Sequence, residues 1–163
     1  MSGLNSILRF FVLLSLVVWV GSIIFFAFVL APTAFHVLPS TELAGNLVAP
    51  TLGALHWIGI VCGLVFLTSS VALSYAANYR LRLFAAANLL VIVMLCLTAI
   101  SQFLVTPAMH KIRTQLASPD FQSSQIDLEY RFQGLHHWSE RLEGGVLLCG
   151  LAVVFLTARR GNP

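Results

Sequence analysis

FFVLLSLVVWVGSIIFFAFVLAPTAF, residues 10–35, carries no charged side chain. A helix rises about 1.5 Å per residue, so about 20 residues cross a hydrocarbon core about 30 Å thick. The stretch exceeds that length, and Leu83–Val105 is a second uncharged run of the same kind. Working outward, four apolar stretches read as spanning helices, at about 8–31, 50–73, 83–105 and 138–158. A soluble chain could hide one such helix in its core, but not four in 163 residues. The pattern predicts an all-α integral membrane four-helix bundle, one domain over residues 1–163, with the lipid bilayer as its first partner.

Composition agrees. Hydrophobic residues make up 58% of the chain and charged residues 9%, where a soluble domain carries about a quarter charged. The apolar run after Arg9 is longer than the roughly 7–15 residues of a signal-peptide core. Ala31-Pro32-Thr33-Ala34 offers no clear cleavage site, so an uncleaved first helix is expected. The net charge of +3 comes from residues scattered at helix ends, with no basic face or recognition motif, and nucleic acid is not an expected partner. Cys62, Cys96 and Cys149 fall within spans without CxxC spacing and read as packing thiols.

Alternating helices place His36, His56, His110, His136 and His137 all at one face of the membrane. The other face holds Arg9, Arg80, Arg82, Arg159 and Arg160 without a single acid, and the first loop on the histidine side has no Lys or Arg. Positive-inside counting then predicts a multi-pass protein of the cell membrane with both termini cytoplasmic. Against this, the third connection carries Lys111, Arg113, Arg131 and Arg141 outside.

Organisation follows from the punctuation of the chain. There is no evident repeat, low-complexity tract or Gly/Ser linker. Tyr75–Arg82 is short and implies an antiparallel hairpin, while His36–Ala49 is longer and ends at Pro50, a residue suited to a helix's first turn. Met109, Ile112 and Leu116 continue the third helix beyond the bilayer toward Ser118-Pro119. A further helical pattern starts near Ser123–Asp127 and runs into the fourth span. Helical extensions of the third and fourth helices are therefore expected on the outer side. The uncharged part of the fourth span, Gly144–Ala158, is too short to cross alone, so Glu140, Arg141 and Glu143 sit at the outer boundary. Charge at that depth is costly unless paired, and Arg113, Arg131 or Arg141 is expected to pair with Glu140 or Glu143.

Chemistry concentrates on the histidine side. Gly53, His56, Gly59 and Gly63 share one face of the second helix, within an arc of about 120°. They read either as close helix packing with His56 hydrogen-bonded across the interface, or as a histidine facing space left for a flat ligand. On the fourth helix, His136, Ser139, Glu140 and Glu143 share a face while His137 turns away. On the third, Asn88, Thr98, Gln102 and Thr106 form a polar stripe toward His110. A polar cluster of Gln102, Arg113, Ser139, Glu140 and Glu143 is expected near the outer end. His56 and His136 are candidate cofactor ligands converging in one outer cavity, and His56, His136 and His110 candidate metal ligands, with haem b or copper as the cofactor class. No HExxH, GxSxG or Gly-rich phosphate loop is present, and no catalytic motif is identified. Asn78 and Tyr79 join Thr68, Ser69, Ser70, Ser74 and Tyr75 in an inner interfacial belt; Trp57 and Trp138 suit the same role, and Trp19 lies deeper.

Trp19-Val20-Gly21 with Phe25-Phe26, Ala31-Pro32-Thr33-Ala34-Phe35, Thr106-Pro107-Ala108-Met109, Arg113, and Phe132-Gln133-Gly134-Leu135-His136-His137-Trp138-Ser139 together resemble the transmembrane-protein-205-like family. That resemblance implies a four-helix membrane domain and supplies no reaction. Glu143 stands where the family pattern has Asn. The plan is more distantly similar to copper-resistance membrane proteins and membrane protoporphyrinogen oxidases, which implies helix histidines serving copper or haem. Three classes of function remain open: a structural, assembly or stress-related membrane protein, a haem- or copper-binding redox or metal-handling protein, and a subunit of a small transporter. Partners could be further copies of the chain or another membrane protein.

Overall fold

The computed structural model describes residues 2–76, 86–116 and 125–160, and all but the short link at residues 38–40 is helical. Four helices are long and apolar enough to cross a membrane: Gly3–Val37, Thr41–Tyr75, Ala86–Leu116 and Ile126–Arg159. The first packs on the second, the third on the fourth, and across these pairs the second meets the third and the first meets the fourth. This is the neighbour order of an up-and-down four-helix bundle. Asn78, Tyr79, Arg80, Arg82, Ser118-Pro119, Asp120 and Ser123 lie outside the described residues.

Every helix is longer than the span read from hydropathy, because hydropathy marks only the part suited to hydrocarbon. The expected extensions are there: the third helix continues over Thr106–Leu116, and the fourth is unbroken over Gln125–Arg160. The second helix departs from expectation. It begins at Thr41, nine residues before Pro50, which lies inside the helix and not in its first turn. Ser40 supplies the start, its Oγ accepting the Leu43 N–H at 3.2 Å. Glu42 then adds negative charge at the N-terminal turn. The first connection therefore shrinks to residues 38–40.

Prolines mark the first and third helices in the same way. Pro32 and Pro107 each follow a π-helical turn, Phe26–Leu30 and Ser101–Val105. Proline has no N–H, and its ring crowds the carbonyl of the preceding turn. Widening that turn relieves the crowding. In each helix the residue just before proline bonds five residues back, Ala31 N–H to Phe26 O and Thr106 N–H to Ser101 O. Thr106 Oγ1 donates to the same Ser101 carbonyl at 3.0 Å.

The core is apolar through the bundle's middle: Leu16, Trp19, Ile23, Cys62, Phe66, Val91, Met94, Val146 and Val153. Most other large apolar side chains face outward, as a membrane requires. Trp57 and Trp138 are exposed, whereas Trp19 is only 2% exposed. Toward the Tyr75 end lies a small polar contact, Ser70 Oγ donating to Asn88 Oδ1 at 2.8 Å.

Candidate functional site

The most deeply buried ionisable side chain described is His56, 1% exposed. Three helices meet at its ring. Nδ1 lies 2.8 Å from Gln102 Oε1 on the third helix, and Nε2 lies 2.6 Å from Glu143 Oε1 on the fourth. With Nδ1–H donating to Gln102, two arrangements satisfy the second bond: Nε2–H donating to the carboxylate, or a carboxyl O–H donating to Nε2. In both, one proton is shared and the pair is neutral overall, which makes burial in a low-dielectric bundle tolerable.

Local geometry places each member. His56 is buried alongside Gly59 and Gly63 of the second helix. Gln102 belongs to the π-helical turn beside Pro107. Glu143 follows Ser139 by one turn, Ser139 being buried and the Glu143 side chain 16% exposed. The polar face expected on the fourth helix therefore divides. Ser139 and Glu143 point into the bundle, while His136 and Glu140 lie outward, their side chains 42% and 60% exposed.

Gly59 and Gly63 do not leave room for a ligand. A Cβ on Gly59 would collide with the Trp19 indole, and one on Gly63 would lie 2.6 Å from Leu95 Cδ2 and 2.9 Å from Trp19 Cζ3. The flat group seated on this face is the tryptophan's own ring. Gly53 has nothing within 4 Å and takes no part in the close packing.

The histidines do not converge. His136 Nε2 is 3.3 Å from Glu140 Oε1, and its ring stacks on Phe132 at 6.4 Å. It stands seven residues before Glu143, or about 10 Å along the axis. His137 is exposed and reaches Glu140 Oε2 at 3.3 Å. His110 is exposed on the third helix, about 12 Å along the axis from Gln102. Among the described residues no three His, Cys, Asp or Glu are grouped to hold a metal ion. Both His56 nitrogens are engaged, one by Gln102 and one by Glu143.

The expected arginine–carboxylate pairs are replaced by other contacts among the described residues. Histidines take the carboxylates: His56 holds Glu143, and His136 and His137 hold Glu140. Arg113 instead donates from Nη1 to the Gly45 carbonyl at 3.1 Å and to Asn46 Oδ1 at 3.4 Å. Its guanidinium carbon stands 5.7 Å from the centre of the Phe132 ring. Arg113 thereby ties the second, third and fourth helices together at the end away from Tyr75. A side chain at Gly45 would fill the space the guanidinium uses. Arg141 lies over Trp138 at 5.9 Å.

An open apolar groove of about 480 Å³ runs between the first and second helices, lined by Gly21, Phe25, Leu30, Thr51 and Ile58 among others. His56 is not part of its lining.

Fold and site together define a small helical membrane protein organised around one buried acid–base pair. Residues 14–118 match the model of a family described as Domain of unknown function (DUF4149), and the chain belongs to that family. The matched residues include His56 and Gln102 and stop short of Glu143. Comparison with curated proteins and with solved structures gives no match.

Proposed function

We propose that this protein is a structural or assembly component of the cell membrane, and that its acid–base pair is an interhelical lock. The observation that carries the proposal is the complete use of His56, whose two ring nitrogens bond to two neighbouring helices. A histidine ligand needs a free nitrogen lone pair. The filling of the Gly59–Gly63 face by Trp19 supports the same reading. The apolar middle weighs against a transport path through one chain. Val91 and Met94, fully buried, separate Asn88 and Ser70 at one end from Gln102, His56 and Glu143 at the other. The resemblance to the transmembrane-protein-205-like family belongs to this proposal, as does a role in stress.

The test is the absorption spectrum and metal content of protein purified in detergent. The expected result is no Soret band and no metal near one equivalent. A Soret band or stoichiometric copper that is lost in His56→Ala would replace the proposal with a haem- or copper-binding function.

Both termini are proposed to face the cytoplasm, on the strength of the acid-free basic cluster at the helix ends they share. Cysteines introduced singly at Gly3 and Ser40 should react differently with an impermeant reagent added outside intact cells. Labelling at Ser40 alone is expected, and labelling at Gly3 alone would invert the orientation.

A further inference from the structure

The helices repeat one another in a way the residue types almost conceal. The offset that carries Phe26–Leu30 onto Ser101–Val105 also carries Pro32 onto Pro107. It places Val12, Leu16, Trp19 and Ile23 on Ala87, Val91, Met94 and Thr98, and all eight are buried. A second offset relates the second helix to the fourth. Glu143 stands 87 residues after His56, and the same step carries Cys62-Gly63-Leu64 onto Cys149-Gly150-Leu151 and Phe66 onto Val153.

Contacts across the bundle are reciprocal under these two offsets. A Cβ on Gly63 would meet Trp19 of its own hairpin at 2.9 Å and Leu95 of the other at 2.6 Å. A Cβ on Gly150 would meet Met94 of its own hairpin at 3.2 Å and Val20 of the other at 2.8 Å. Trp19 corresponds to Met94 and Val20 to Leu95, so the second set of contacts is the first with the hairpins exchanged. That exchange is the signature of an isologous contact about a two-fold axis.

We infer that the bundle is two like-oriented helix pairs, residues 2–76 and residues 86–116 with 125–160, docked about a pseudo-two-fold axis along their length, each offering the other the same docking surface. The partner this surface fits is a second two-helix hairpin of the same plan. Here that partner is the chain's own other half. His56 and Glu143 occupy equivalent positions on diagonal helices and meet across the middle of the bundle. Two identical ionisable groups meeting there would present like charges or compete for one proton, whereas a histidine and a glutamate share one. The symmetry breaks where the chemistry requires it. Gln102 corresponds to Ala27, which is exposed, and only the imidazole has a second ring nitrogen to satisfy. The relation stands independently of the assembly role proposed above.

Spin-label distances in the full chain test it, in a background with Cys62, Cys96 and Cys149 replaced by alanine. Labels at Val17 and Leu148 form one pair, and labels at Ile92 and Val61 form its counterpart with the hairpins exchanged. All four positions are exposed. Overlapping distance distributions are expected, and two that do not overlap overturn the inference. The exchange of His56→Glu with Glu143→His, made in an Ala27→Gln background that offers the moved imidazole an amide partner, tests the axis itself. Each single variant is expected to lower the melting temperature, and the double variant to recover most of the loss. A double variant no more stable than the singles overturns the inference as well.

Discussion

Glu143→Ala lowers the unfolding free energy in detergent by about 3–5 kcal/mol, the range for breaking a buried ion pair by removing one partner. The loss comes less from the missing bond than from what remains. His56, 1% exposed, keeps its place between helices with Nε2 facing no acceptor or donor. Glu143→Gln keeps a hydrogen-bonding group and is expected to lose less. The double variant His56→Leu/Glu143→Leu removes both polar groups and should recover much of the loss, since an apolar pair can substitute for a buried ionic one. Chemical unfolding of these proteins in one detergent, together with the single variants His56→Leu and Glu143→Leu, measures this, and the non-additivity of the double variant isolates the pair. An unchanged Glu143→Ala protein would mean the carboxylate is solvated and His56 satisfied by Gln102 alone.

Gly63→Ala is the second large effect. Its new methyl would lie 2.6 Å from Leu95 Cδ2 and 2.9 Å from Trp19 Cζ3, closer than unbonded carbons approach. Overpacking of this kind costs about 1–3 kcal/mol, and the helix-propensity gain of about 1 kcal/mol offsets only part of it. Gly63→Leu should be worse, forcing the Trp19 ring and the third helix apart. Gly21→Ala and Gly53→Ala are the controls, because nothing lies within 4 Å of a Cβ at either. They should leave stability unchanged or raise it slightly. If Gly63→Ala melts no lower than Gly53→Ala, the second helix does not approach Trp19 and Leu95 this closely.

The charge-free run from Phe10 to Phe35 and its counterpart from Leu83 to Val105 made the helix count legible, because hydrocarbon penalises charge so heavily. Helix ends were harder to read. Pro50 looked like a beginning, yet the capping hydroxyl belongs to Ser40, and a proline within a long helix is tolerated where neighbouring helices support it. Gly59 and Gly63 correctly marked the face that carries His56 inward. What the glycines accommodate was not legible, since Trp19 lies on another helix and spacing along one chain says nothing of rotation about another. Glu143 gave the most useful local sign. A carboxylate at the edge of Gly144–Ala158 needed a partner, and arginine was the wrong place to look for one. A buried histidine on a glycine-lined face was the better candidate, being able to share a single proton. His136 shares the His56 end of the bundle, but the two depths differ by about two helical turns, an offset along the axis that a shared end does not remove.

The second and fourth helices each run for 36 residues, or about 54 Å, whereas the hydrocarbon core is about 30 Å thick. Ordered helix therefore rises well clear of the lipid, and with one boundary set near Tyr75 and Arg159 most of the excess stands on the side of Lys111 and Arg131. Near the far ends of these helices, Glu42 and Asp127 then stand beyond the roughly 8 Å over which physiological salt lets a headgroup layer impose its potential. A molecule approaching from solution would meet a stiff helical collar, bearing charges of its own, before it felt the electrical double layer of the membrane.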